Sequence, residues 1–238
     1  FRFINQKELT IVLILIIIFG NFYHTKTFFA LYKGLWIEPV LQLKGRVLTG
    51  NSNWIDIGRK LGYVFDYSPK IKLAVIPVGA ISFYSELYII DLLGLNDRWI
   101  AKNGIKLWNH PSHRKIGTLK YLEKKKVNLL LLTDLYKKTS FIDHSKEIRI
   151  KCFDFLELLF EEKYTFKSNP QIIEIPIKDN CYAILIYLQR DKIIDDIIEK
   201  NDFKTYSLFE SNENLSLYHK SGLNPYQFNN NKHYLNNI

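Results

Sequence analysis

The chain has 238 residues, 47% of them hydrophobic and 15% aromatic, which is enough apolar material for one sizeable domain with a core and too much for a disordered chain. A net charge of +9 and a pI near 9.3 suit an anionic partner. The lysines are interleaved with acidic residues, however, with one tight cluster at 124–126 and no recognised nucleic-acid motif, so anionic or phosphorylated lipid is expected and nucleic acid is not.

No methionine occurs, not even at position 1, as expected of a piece of a longer chain. The first element is the apolar stretch Leu9–Phe22, unbroken from Ile11 to Phe19 and bounded upstream by Arg2, Lys7 and Glu8. It is expected to be a membrane-spanning helix within 1–23, the last of a longer protein. A signal anchor and a buried core helix are the alternatives, although no small-residue cleavage site follows the run. Flanking Lys26, Lys33, Lys44 and Arg46 do not fix its orientation.

Residues 24–50 read as a connector and 51–222 as a soluble α/β domain. The apolar positions Trp54, Ile55, Ile57, Leu61, Val64 and Phe65 roughly fit one helical face, which Pro69 would end. Ile71–Val78 has the β-branched content of a strand, followed by a turn at Val78–Ile81 and a second apolar run at Leu87–Leu93. Asn96 or Asp97 is placed to cap a helix running through Ala101. His113–Lys126 reads as an amphipathic helix with Ser112 as its cap, and Val127–Thr133 as a fully buried strand.

Gln171–Ile177 and Cys181–Leu188 predict a hairpin about Lys178-Asp179-Asn180, and Lys192–Lys200 a short helix. The asparagine-rich stretch 223–238 reads as a tail. The expected fold is therefore α/β, a mixed sheet flanked by helices and preceded by one transmembrane helix. Cys152 and Cys181 lack metal-ligand spacing; they are read as buried small hydrophobes, with a disulfide as the alternative.

Several residues are candidates for chemistry. Gly79 lies beyond a strand end, where α/β sheets place ligands and where glycine admits close approach. Asp91 ends an apolar strand, so its carboxylate is placed either to bind a hydroxyl or cation or to accept backbone N–H groups. Asp97 reads mainly as a helix cap. Tyr84, Ser82 and Ser85 suit a sugar ring, or equally an apolar surface; no nucleophile elbow surrounds Ser85. His110, His113, Arg114 and Lys115 form a basic cluster fit for a phosphate, or a solvated helix start. No metal set is expected.

The ordered series Gly79-Ala80-Ile81-Ser82-Phe83-Tyr84-Ser85, then Ile90-Asp91-Leu92-Leu93-Gly94-Leu95-Asn96-Asp97 and Ile100-Ala101, resembles the extracytoplasmic C-terminal domain of bacterial GT-C-type polytopic glycosyltransferases, those of the arabinofuranosyltransferase-like kind. That family also carries a G-H-x-K segment, which here is Ser112-His113-Arg114-Lys115; serine replaces the glycine. The resemblance covers roughly residues 30–135. It implies the C-terminal part of an inner-membrane enzyme that takes a sugar from a polyprenyl-phosphate donor to build cell-envelope glycan. The domain would lie on the periplasmic side and cover the active site or grip the acceptor glycan. The family's catalytic carboxylate lies in an early loop outside this chain, so no catalytic residue and no cofactor are expected here. Gly79, Tyr84, Ser85, Asp91, Asp97, His113 and Lys115 would bind substrate. The alternative is a single-span anchored glycan-binding or scaffold protein without catalysis.

Overall fold

The computed structural model describes residues 5–35, 40–48, 53–107, 114–132, 135–137, 144–160, 164–178 and 180–209. Two compact units emerge, residues 1–45 and 46–238.

In the first, helix α1 (Gln6–Leu35) contains the apolar run. Its window Gln6–Tyr23 is long and apolar enough to cross a membrane. The large side chains from Leu9 to Phe19 are exposed, which speaks against a buried core helix. With α2 (Val40–Leu48), helix occupies much of the stretch read as a connector.

The second unit holds α3 (Trp54–Val64), β1 (Lys72–Val75), α4 (Val78–Ser85), β2 (Tyr88–Asp91), α5 (Arg98–Asn103), β3 (Ile105–Lys106), β4 (Lys115–Ile116) and α6 (Leu119–Lys124). It continues with β5 (Leu129–Leu131), β6 (Tyr136–Lys137), α7 (His144–Glu157), β7 (Gln171–Lys178), β8 (Cys181–Tyr187), α8 (Lys192–Lys200) and β9 (Thr205–Ser207). A seven-stranded mixed sheet runs β2-β1-β5-β8-β7-β9, with β6 also on β8. β2, β1 and β5 are parallel; β8 joins β5, β7 and β6 antiparallel, and β9 joins β7 antiparallel.

Both faces of the sheet are covered, which is why its strands read as nearly continuous apolar runs. Leu129, Leu131, Ala183, Leu185 and Tyr187 point to one face, where they meet Ile57 and Leu61 of α3, Ile81 of α4 and Ile194 of α8. The intervening Leu130, Ile184 and Ile186 point to the other, against Ile100, Leu122, Ile148, Cys152 and Leu156 from α5, α6 and α7. The two-residue period of a strand thus builds two cores from one sheet. The α/β class, the mixed sheet and the flanking helices are as expected.

Three local expectations are corrected. The strand from Ile71 stops at Val75, and the presumed turn at Val78–Ile81 is the first turn of α4. That helix packs on α3 at the level of Gly58 and Gly62, where an added Cβ would stand 3.1 Å from the Ile81 carbonyl and 2.9 Å from that of Ser85. The expected helix His113–Lys126 begins only at Leu119 and is capped by Thr118, whose side chain accepts the Tyr121 N–H at 3.1 Å. Lys115 and Ile116 instead pair with β3, which buries Ile116. Ser112 lies outside the described residues. Cys152 is buried and Cys181 half-buried, and both are free thiols; burial raises the Cys152 pKa.

Candidate functional site

β1 and β2 run in register from Lys72↔Tyr88 to Val75↔Asp91, so their carboxyl ends stop level. α4 leaves after β1 and the 92–97 loop after β2. Between them a groove of about 250 Å³ opens, lined by Val78 and Ser82 of α4, residues 88–91 of β2, Asn96, Asp97 and Lys125. It lies against the edge of the sheet, because among the described residues β2 has one neighbour. The N–H groups of Tyr88 and Leu92 bond to the Ile71 and Val75 carbonyls at 3.2 and 2.9 Å. In a parallel ladder the alternate residues Ile89 and Asp91 therefore turn their backbone groups to the open edge. The Asp91 carbonyl accepts the Gly94 N–H at 3.1 Å, so among the described residues the Ile89 N–H and C=O and the Asp91 N–H face the open edge beside the groove.

Asp91 is 2% exposed. Its carboxylate accepts the Leu93 N–H at 2.9 Å and the Asn96 N–H at 2.6 Å. Of the two roles open to it, the structure thus selects backbone acceptor. Asp97 caps α5 by accepting the Trp99 and Ile100 N–H groups at 2.9 and 3.1 Å, and its second oxygen accepts the Tyr121 hydroxyl at 2.8 Å. Burial, then this bond to Asp97, holds the Tyr121 hydroxyl well above its ordinary pKa. The Trp99 ring stacks on Tyr121 with centroids 4.0 Å apart. Lys125 Nζ stands 5.4 Å from the Tyr121 ring and Lys72 Nζ 5.6 Å from the Tyr88 ring. Lys72 also donates to the Lys125 carbonyl at 2.8 Å.

The groove therefore offers a hydroxyl (Ser82), a carboxamide (Asn96), an ammonium (Lys125) and one strand residue's backbone pair, with Tyr88 as an aromatic wall. Its two carboxylates are occupied in holding the fold. Such a set donates and accepts hydrogen bonds.

The other sequence candidates do not converge here. Gly79 is exposed on α4, and an added Cβ would meet nothing within 4 Å, so no close approach requires glycine. Tyr84 faces α3, with the Arg59 guanidinium 4.9 Å from its ring. Ser85 is fully buried, its Oγ accepting the Leu87 N–H at 3.4 Å. Lys115 donates to the Lys102 carbonyl. His110 and His113 lie outside the described residues.

A second polar cluster escaped the sequence. His144, which opens α7, and Glu174 in β7 are both buried, with Nε2 2.9 Å from Oε1. Among the described residues neither ring nitrogen makes a directed hydrogen bond, so the two side chains are in contact without N–H geometry. Tyr206 donates to the same Glu174 oxygen. Alongside, Tyr136 donates to Glu147 at 2.6 Å and Lys151 pairs with Glu147 at 2.8 Å. These two partners, Lys151 first, lower the Glu147 pKa. The available signal was a lone carboxylate in the run Ile172-Ile173-Glu174-Ile175. Among the described residues no group of three or more His, Cys, Asp or Glu could hold a metal ion.

No curated protein and no solved structure matches the chain. The family described as "Domain of unknown function (DUF8728)" matches residues 51–209, the span that builds the sheet and the groove, and the chain belongs to that family.

Proposed function

We propose that this chain is the membrane-tethered acceptor-binding part of a glycosyltransferase of the GT-C type, holding a glycan in the groove beside β2. The carrying observation is the chemistry of that groove. A sugar presents many hydroxyls, each donor and acceptor, and Ser82, Asn96, Lys125 and the Ile89 backbone supply complementary groups beside the ring of Tyr88. The apolar α1 supports a membrane location, and the resemblance around residues 79–101 supports the inner membrane with this domain on the periplasmic side. In this reading a polyprenyl-phosphate carrier supplies the sugar, and the transfer chemistry belongs to a carboxylate outside residues 1–238.

The occupied state of Asp91 and Asp97 favours a second reading, in which a single-span anchored protein binds glycan with no transfer at all. Both readings share the groove. The test is titration of the full chain in nanodiscs with oligoarabinofuranosides. Ser82→Ala with Asn96→Ala is expected to weaken binding by about tenfold, the loss of one or two net hydrogen bonds. Unchanged affinity in the double variant sinks the groove as the site. Sugar transfer from a polyprenyl-phosphate donor by this chain alone would overturn the assignment of chemistry to other residues.

A further inference from the structure

The α3–α4 pair carries a set of exposed aromatic residues that do not line the groove. Phe83 is 76% exposed and Tyr63 is 73% exposed. The ring of half-buried Tyr84 meets Phe83 edge-on at 5.1 Å and carries the Arg59 guanidinium at 4.9 Å. Arg59 lies one helical turn before Tyr63 on α3. Lys60 extends the band, its Nζ 5.9 Å from the Tyr63 ring, and Tyr67 lies over Gly62. Exposed apolar residues are ordinary when scattered; contiguous ones mark a surface that something covers.

We propose that this band seats the α/β domain on the headgroup boundary of the bilayer that holds α1. This rests on the reading of α1 as a membrane anchor. The composition is that of an interfacial belt: amphipathic rings whose apolar bodies enter the acyl boundary, and basic side chains whose charged heads lie over those rings. Only 18 residues separate Leu35 from Trp54 in the sequence, so an anchored α1 holds the band at a high effective concentration near the bilayer and weak partitioning suffices. Asp56, Asp66 and Glu86 lie among Arg59, Lys60 and Lys70, which balances the local charge. The seating is therefore by ring partitioning, and it persists in zwitterionic lipid and at high salt.

The test is hydroxyl-radical footprinting of the full chain in phosphatidylcholine nanodiscs and in amphipol. Tyr63 and Phe83 are expected to be oxidised at least about fivefold less in nanodiscs, as rings withdrawn from water. Tyr88, exposed at the groove, and exposed Trp99 serve as internal standards and react equally in both. A chain that enters the discs with Tyr63 and Phe83 unprotected overturns the seating and leaves the anchor standing. A chain that stays out of the discs overturns both. Protection that appears only when anionic lipid is added, and disappears in salt, overturns partitioning as its cause.

Discussion

Changing Asp91 to asparagine tests whether this carboxylate builds the groove or faces its ligand. In the native loop each carboxylate oxygen accepts a backbone N–H, from Leu93 at 2.9 Å and from Asn96 at 2.6 Å. Asparagine fills the same volume but retains one acceptor, and its amide sets hydrogens against the other N–H. A hydrogen bond to a charged acceptor contributes about 1.5–3 kcal/mol, and a buried donor left without a partner costs about 1–3 kcal/mol. These figures overlap, because each includes part of the same desolvation, so about 3 kcal/mol is the local cost of Asp91→Asn. At about 1.4 kcal/mol per decade, that opens the loop some 100-fold more often. Hydrogen exchange read by mass spectrometry on the full chain follows the peptide covering 92–97, with the β7–β8 hairpin as reference. The loop is expected to exchange about 100-fold faster in Asp91→Asn, and faster still in Asp91→Ala, with the hairpin unchanged. Unaltered loop protection combined with lost oligosaccharide affinity would refute the assignment of Asp91 to the loop and return it to the ligand.

Three further substitutions probe other parts of the domain. Gly94 has φ +71°, and a Cβ there would stand 2.6 Å from the Ala101 backbone nitrogen; Gly94→Ala should cost at least about 2 kcal/mol in urea unfolding through strain and clash together. Glu174→Ala leaves buried His144 and the Tyr206 hydroxyl without their carboxylate and should destabilise by about 3 kcal/mol; a loss below ~1 kcal/mol would show the cluster to be inert. Because the Glu147 pKa is lowered, chiefly by Lys151 and Tyr136, its contribution is complete above the ordinary glutamate value of about 4.3 and fades as pH falls through the lower folded value. Melting curves from about pH 5 to about pH 3 should therefore fall more steeply for the native chain than for Glu147→Gln, by under ~1 kcal/mol because the pair is partly solvated.

Sequence patterns governed by local chemistry proved legible. Lys192–Lys200 forms α8, capped by Asp191, whose side chain accepts the Ile193 N–H at 2.9 Å. The hairpin forms between β7 and β8, with Asn180 in the left-handed region at φ 54°. What sequence left hidden depends on distant contacts. Val78 reads as a strand end and Val78–Ile81 as a turn, but Val78–Ser85 is a helix, packed where α3 presents Gly58 and Gly62. Lys115 and Ile116 carry helix-compatible periodicity, but pairing with β3 decides their state. His144 and Glu174 lie far apart in the chain, and the sheet alone brings them together.

The spacing of Asp91, Gly94 and Asp97 is best understood as a device for folding the β2–α5 connection. Asp91 gathers the amides of Leu93 and Asn96, Gly94 takes the left-handed turn between them, and Asp97 starts α5 while bonding Tyr121 of α6. Each of these acts on backbone or on the neighbouring helix, and together they put the Asn96 side chain at the groove. Asp91, Gly94 and Asp97 therefore set the shape of the loop. Specificity would rest instead on the residues the loop presents, Asn96 and its neighbours Ser82, Tyr88 and Lys125. On this argument Asn96→Ala should weaken ligand binding and leave loop exchange unchanged, the reverse of what a lesion at Asp91 does first.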